Sequence, residues 1–258
     1  MWRLMVDSVP MTSFGARPDP GAPAPGGILP TATTAIVVAA GAGVRMGAPV
    51  PKALMPLAGR PMLAWSVDAL RACPAIDAIV VLAPPGLEDE VESAIGARVG
   101  VTVVAGGASR AESVREGVRA AGPHPARLLV HDAARPLVTP ALVEGVLAGL
   151  EGVDGAIAAA PAQDTLKRAG GDGLVAGTVD RDGLWAAQTP QAFWAPALHA
   201  AIAAAEAEGR LARATDCASM VEARGGRIRL VASREPNLKV TTPADAVLAA
   251  AVLAGRPQ

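Results

Sequence analysis

Apolar runs rich in Val, Ile and Leu recur along the chain at 35–39, 78–83, 101–104, 127–131, 155–160 and 228–232. Between them lie segments with helical spacing, at 61–72, 87–95, 110–121, 140–150, 195–208, 215–224 and 243–254. Apolar runs without alternation read as strands buried on both faces, and their alternation with helices implies parallel strands joined by crossover helices. The pattern predicts an α/β fold: a doubly wound, mostly parallel sheet. One stretch breaks the rhythm. Residues 162–187 carry short apolar alternations around Gly170-Gly171 and Asp182-Gly183, which are turn signals. They predict one or two β-hairpins, an arm projecting from the sheet. The first 33 residues are rich in Pro, Gly and Ala and predict a disordered leader, so residues 34–258 form a single domain.

Composition narrows the function classes. The formal net charge of the 258 residues is −1, which argues against a dedicated nucleic-acid binder. With 4 Trp, 2 Phe and no Tyr there is little material for a base-stacking surface, and the core must come from Val, Leu, Ile and Ala. Cys73 and Cys217 are too few for a disulfide framework and form no CxxC, so both are expected reduced in or near the core. No run reaches the ~18 apolar residues of a membrane span. The N-terminus lacks the continuous apolar region of a secretory signal, so the expected compartment is the cytoplasm, with no membrane partner.

The first apolar run ends in a glycine loop, Gly41-Ala42-Gly43-Val44-Arg45-Met46-Gly47, followed by Lys52 between Pro51 and Ala53. The spacing G-x-G-x-x-x-G is one residue off the dinucleotide fingerprint, and Pro49 and Pro51 oppose a helix opening directly at the glycines. An NAD-type site also needs an acidic residue at the end of the second strand, where this chain has Ala83-Pro84-Pro85. No Gly-Lys-Ser/Thr follows, so a kinase-type phosphate loop fits poorly as well. What remains is a strand-end loop with free backbone N–H groups and two cations, Arg45 and Lys52, suited to a polyphosphate. A solvated surface loop is the plain alternative. A second strand ends in His131-Asp132 before Arg135-Pro136, and a carboxylate in that crevice suits a metal ion or a ribose hydroxyl.

Taken in order, "AAGAGVRMG…PK", "GGASRAES", "HDAARP", "DTLKR", "VDRDGLWAAQTPQ", "TDCAS" and "NLKVTTPAD" resemble the 2-C-methyl-D-erythritol 4-phosphate cytidylyltransferases, from about Ala35 to Leu253. The resemblance implies a reaction of CTP with methylerythritol phosphate, giving a CDP-alcohol and pyrophosphate with Mg²⁺. By motif, Arg45 and Lys52 are implied as transition-state stabilisers at the α-phosphate. Arg181 and Lys239 would hold the substrate phosphate for attack. Arg135, Thr165, Thr189 and Asp216 match substrate-pocket positions. Ala39, Ala40, Gly41 and Gly43 would wrap the nucleotide, Gly107 and Ser113 would read cytosine, and Asp132 would sit near the ribose and the Mg²⁺. Asp216 is equally placed to cap the helix that starts there. In the family the arm packs across a twofold dimer and lends residues to the neighbouring site, so a homodimer is implied, with Thr165 and Arg181 serving the other subunit. The chain departs from many relatives at Ala108, where they carry an acidic residue, and at Ala53, where they carry Gln. A cytidylyltransferase of another polyol phosphate, such as ribitol 5-phosphate, would share the frame and differ around Thr165, Arg135 and Thr189. A non-catalytic nucleotide-binding regulator would have no need of all four cations.

Overall fold

The computed structural model describes residues 32–41 and 51–256. Residues 1–31 of the expected leader, and Gly43 and Arg45 of the glycine loop, lie outside the described residues, whereas Thr33, placed at the end of that leader from sequence, already pairs in the first strand of the sheet.

Seven strands form the central sheet: β1 (Thr33–Val38), β4 (Ala78–Ala83), β5 (Val101–Ala105), β6 (Arg127–Asp132), β7 (Gly155–Pro161), β10 (Trp185–Trp194) and β11 (Ile228–Ala232), in the spatial order β11-β7-β10-β6-β1-β4-β5. The pairings β1·β4, β1·β6, β4·β5 and β7·β11 are parallel, and β10 runs antiparallel between β6 and β7. Two short strands, β2 (Pro56–Leu57) and β3 (Arg60–Pro61), pair beside the sheet.

The helices are α1 (Met62–Arg71), α2 (Glu88–Ile95), α3 (Arg110–Ala121), α4 (Pro140–Ala148), α5 (Ala195–Ala207), α6 (Cys217–Glu222) and α7 (Pro243–Ala254). Strand side chains point alternately to the two faces. Ala35, Val37 and Leu129 pack with Leu63, Val67 and Val91 of α1 and α2 and Val143 and Val146 of α4. Ile36, Leu128 and Val130 pack on the other face with Val114 of α3, Leu198 of α5 and Met220 of α6. Both faces are covered, which is why the middles of β1 and β6 are apolar on both sides. Cys73 and Cys217 are buried and unbridged, as expected.

The apolar runs locate the six parallel strands within a residue or two. The pattern misses β10 beyond Ala187, because "QTPQAFW" has few β-branched residues and a proline in its middle. Pro190 has no N–H for a ladder, and the β7·β10 register shifts between Ala187 and Gln191, around it. Phe193 is fully buried at the far end of this strand, against Gly155 of β7, where a Cβ would come within 2.5 Å of the ring.

The excursion at 162–187 is an arm. Its tip is the antiparallel pair β8 (Lys167–Ala169) and β9 (Val175–Thr178), turned at Gly170–Leu174, and its base is the paired ends of β7 and β10, where Trp185 faces Pro161. Leu166, Leu174, Val175, Leu184 and Trp185 are all exposed on it.

Candidate active site

The C-terminal ends of β1, β5 and β6 open into one cavity of about 360 Å³. Ligands of open α/β sheets bind at this edge. Ala39, Ala40 and Gly41 leave β1 along its wall, and Lys52 enters from the short 3₁₀ turn Lys52–Leu54. Gly107 and Ser113 line it from the β5 side, and Asp132 and Lys239 close it from the β6 side. Eight of the residues singled out in the sequence therefore meet in one cavity.

Local chemistry explains the β5 side. Ser109 caps α3 in a reciprocal capping box with Glu112. The Ser113 hydroxyl donates to the Ser109 carbonyl at 2.8 Å and accepts the Gly107 N–H at 3.0 Å. Ser113 thus shapes the loop from beneath. Gly107 has no room for a side chain, because a Cβ there would lie 2.5 Å from the Cβ of Glu112.

Asp132 is the one acidic residue in the described lining, and it is buried. Arg110 Nε donates to its Oδ1 at 2.9 Å, with Nη2 at the same distance in the ion pair, and Lys239 Nζ donates to Oδ2 at 2.7 Å. Burial alone would raise the carboxyl pKa. The Arg110 and Lys239 charges outweigh that and hold it well below the usual carboxylate range. Arg110 lies within "GGASRAES", but the sequence gives it no role. The available signal is a cation opening a helix three residues past the double glycine, with a lone strand-end carboxylate that needs partners.

The remaining expected residues sit elsewhere. Arg135 is anchored by Nη1 on the Asn237 carbonyl at 2.7 Å, next to the cavity wall but not among its lining. Thr189 is buried, its Oγ1 accepting the Asp132 N–H at 3.0 Å. Asp216 caps α6 through the Ser219 N–H at 2.9 Å and accepts from Gln191 Nε2 at 2.9 Å. Thr165 and Arg181 are exposed on the arm, where Arg181 donates to the Gln163 carbonyl and lines a separate cavity of about 490 Å³.

His131 is fully buried beneath Asp132. Burial pushes its pKa down to about 4, against the opposing influences of the Asp132 charge and the Arg135 carbonyl, with the Arg135 and Arg110 charges adding to the fall. The folded protein therefore binds this proton more weakly than the unfolded chain, whose imidazole titrates near 6.5. The stability from a neutral His131 is full above pH 6.5 and is lost as pH falls toward about 4. One proton gives a slope of about 1.4 kcal/mol per pH unit. Urea denaturation across that window should reveal the slope in the wild type and a flatter profile in His131→Gln; equal slopes would show that His131 does not titrate this way.

The model of the 2-C-methyl-D-erythritol 4-phosphate cytidylyltransferase family matches residues 33–255. A protein of that name from Frankia casuarinae is 46% identical over 230 residues, 88% of this chain and 84% of the relative. One from Symbiobacterium thermophilum is 42% identical, over 88% of this chain and 95% of the relative. Among solved structures, the Thermus thermophilus cytidylyltransferase superposes with a TM-score of 0.70 at 32% identity, covering 84% of this chain and 97% of that one. The Anaerococcus prevotii 4-diphosphocytidyl-2C-methyl-D-erythritol synthase gives 0.74 at 27% identity, covering 86% and 98%. With nearly its whole described length matched, this chain belongs to the 2-C-methyl-D-erythritol 4-phosphate cytidylyltransferase family.

Proposed function

We infer that this protein transfers the cytidylyl group of CTP to 2-C-methyl-D-erythritol 4-phosphate, giving 4-diphosphocytidyl-2-C-methyl-D-erythritol and pyrophosphate, in cytoplasmic isoprenoid precursor synthesis. The observation that carries this reading is the family match over residues 33–255. The cavity beneath it agrees: backbone from the β1 and β5 loops, two lysines, and a carboxylate clamped by cations. Residues 34–258 act as one unit in this reading.

The attacking group is a phosphate monoester oxygen, already anionic at neutral pH. It forms a new P–O bond at the α-phosphorus of CTP as the bond to the departing pyrophosphate breaks. No proton has to be removed from the nucleophile, so no general base is needed, and His131 is neutral and occupied inside the protein. The barrier is the approach of two polyanions and the charge that develops between them, which calls for cations and positioning. Lys52, with Arg45, stabilises that charge. Lys239, with Arg181, holds the incoming phosphate. Ala39, Ala40, Gly41, Gly43 and Gly107 wrap the nucleotide with backbone, over a loop that Ser113 holds in shape.

Among the described residues no cluster of three or more His, Cys, Asp or Glu side chains could cage a metal ion. A lone carboxylate beside a polyphosphate site fits Mg²⁺, which commonly takes one or two carboxylates and fills its shell with substrate phosphates and water. Asp132 would hold it, and the ion would neutralise triphosphate charge.

The arm completes the account. Its exposed Leu166, Leu174, Val175, Leu184 and Trp185 are apolar surface that a second copy of the chain would cover. A homodimer through the arm would bring Thr165 and Arg181 to the neighbour's cavity, where Arg135 is already close. For Asp216 the bonds to Ser219 and Gln191 favour a cap over a substrate contact.

Purified protein given Mg²⁺ and CTP should release pyrophosphate with methylerythritol phosphate, and not with ribitol 5-phosphate or when UTP or ATP replaces CTP. Release with ribitol 5-phosphate would keep the chemistry and overturn the substrate; silence with both would favour a nucleotide-binding regulator. Lys52→Ala and Arg181→Ala should each lose about 10²-fold or more in turnover. Mixing and re-associating the two variants should restore activity, since one site of each heterodimer would have both intact residues. No restoration would mean that each subunit supplies its own Arg181.

A further inference from the structure

Thr189 and His131 form a hydrogen-bonded chain whose directions follow from their partners when the ring is neutral. His131 Nε2 lies 3.2 Å from the Arg135 carbonyl oxygen. A carbonyl only accepts, so Nε2 carries the ring proton. In the neutral imidazole Nδ1 then has a bare lone pair. It lies 3.2 Å from Thr189 Oγ1, so the hydroxyl must donate to it. The same oxygen accepts the Asp132 N–H at 3.0 Å. The chain runs from the Asp132 amide through the Thr189 hydroxyl and the His131 ring to the Arg135 carbonyl. Both functions of the hydroxyl are used inside the protein, and Thr189 is 3% exposed.

The location explains why a side chain is needed. The β6·β10 ladder pairs Val130 with Gln191 and goes no further toward Asp132, because Pro190 interrupts β10. The Asp132 N–H would face this break without a main-chain acceptor, and the Thr189 hydroxyl supplies one. The other end closes a circuit. Arg135 N–H donates to the Asp132 carbonyl at 2.9 Å, Arg135 Nη1 to the Asn237 carbonyl, and Asn237 Nδ2 to the Thr189 carbonyl at 2.9 Å. Asn237 stands two residues before Lys239, which grips Asp132.

We propose that Thr189 and His131 are positioning residues: their neutral hydrogen-bond chain sets the backbone at Asp132 and Arg135, and so the side chains these present to the substrates, while neither touches a substrate. The proposal rests on the reading of the cavity given above. It replaces a direct substrate contact for the Thr189 hydroxyl with an indirect one.

Thr189→Val keeps the shape and removes the hydroxyl. A misplaced reactive geometry predicts a kcat lower by about 10- to 100-fold, and KM for both substrates within roughly threefold. Thr189→Ser restores the hydroxyl and should restore kcat. His131→Phe cuts the same chain, so the double variant should be no slower than the slower single one. His131→Gln keeps a donor for Arg135 but offers the hydroxyl no acceptor at Nδ1, and it carries the same test should Thr189→Val fail to fold. Amide hydrogen exchange read on residues 131–136 should quicken in Thr189→Val. A loss confined to KM for methylerythritol phosphate would make Thr189 a substrate contact and overturn the proposal. So would wild-type kcat in Thr189→Val or His131→Gln, losses that multiply in the double variant, or unchanged exchange. Inactive wild-type protein would instead overturn the functional reading, leaving the exchange result to decide the hydrogen-bond chain.

Discussion

The structure turns on one carboxylate. Asp132 is buried at a strand end between Arg110 and Lys239, and each of its oxygens is held by a charged donor. Arg110 opens a helix that follows β5, and Lys239 lies beyond β11 at the other edge of the sheet. One side chain thus ties together elements 22 and 107 residues away from it. Removing a carboxylate from water is costly unless it is paired and hydrogen-bonded, and removing one partner from such a group costs more than never building it. The cluster therefore constrains where the β5 and β11 loops sit relative to β6. The cavity that the proposed function assigns to the triphosphate lies among these groups.

The chemistry follows from the charge balance. Two lysines and an arginine reach the described part of the cavity, and one acidic residue lines it. That imbalance favours polyanions, and partial neutralisation by Asp132 holds Arg110 and Lys239 in place. A transfer between two phosphates needs charge placed in advance more than it needs a proton acceptor. The buried His131, by contrast, is turned inward and spends both nitrogens on the protein.

Much of this was legible in the sequence. The parallel strands and most helices follow from apolar runs buried on both faces and from spacing between them. The clustering of Ala39, Gly41, Lys52, Gly107, Ser113, Asp132 and Lys239 follows from their places after strands, since strand ends of an open sheet share one edge. What escaped has physical reasons. The antiparallel β10 is hidden because its inner half holds Gln, Thr and Pro, and its place between β6 and β7 is a tertiary fact. Arg110 reads as an ordinary first-turn residue until Asp132 appears opposite it. The long-range partners of Asp216 and Thr189 are also tertiary facts, since Gln191, His131 and the Asp132 amide meet them only in the fold.

The most direct measurement of the central claim is the turnover of Asp132→Asn with CTP and methylerythritol phosphate, taken with its circular dichroism. The neutral amide keeps the shape but leaves Arg110 and Lys239 without their shared counter-charge. The account predicts a folded protein with turnover lower by about 10²-fold or more. A folded Asp132→Asn protein with near wild-type turnover would contradict it and make the cluster a matter of folding alone.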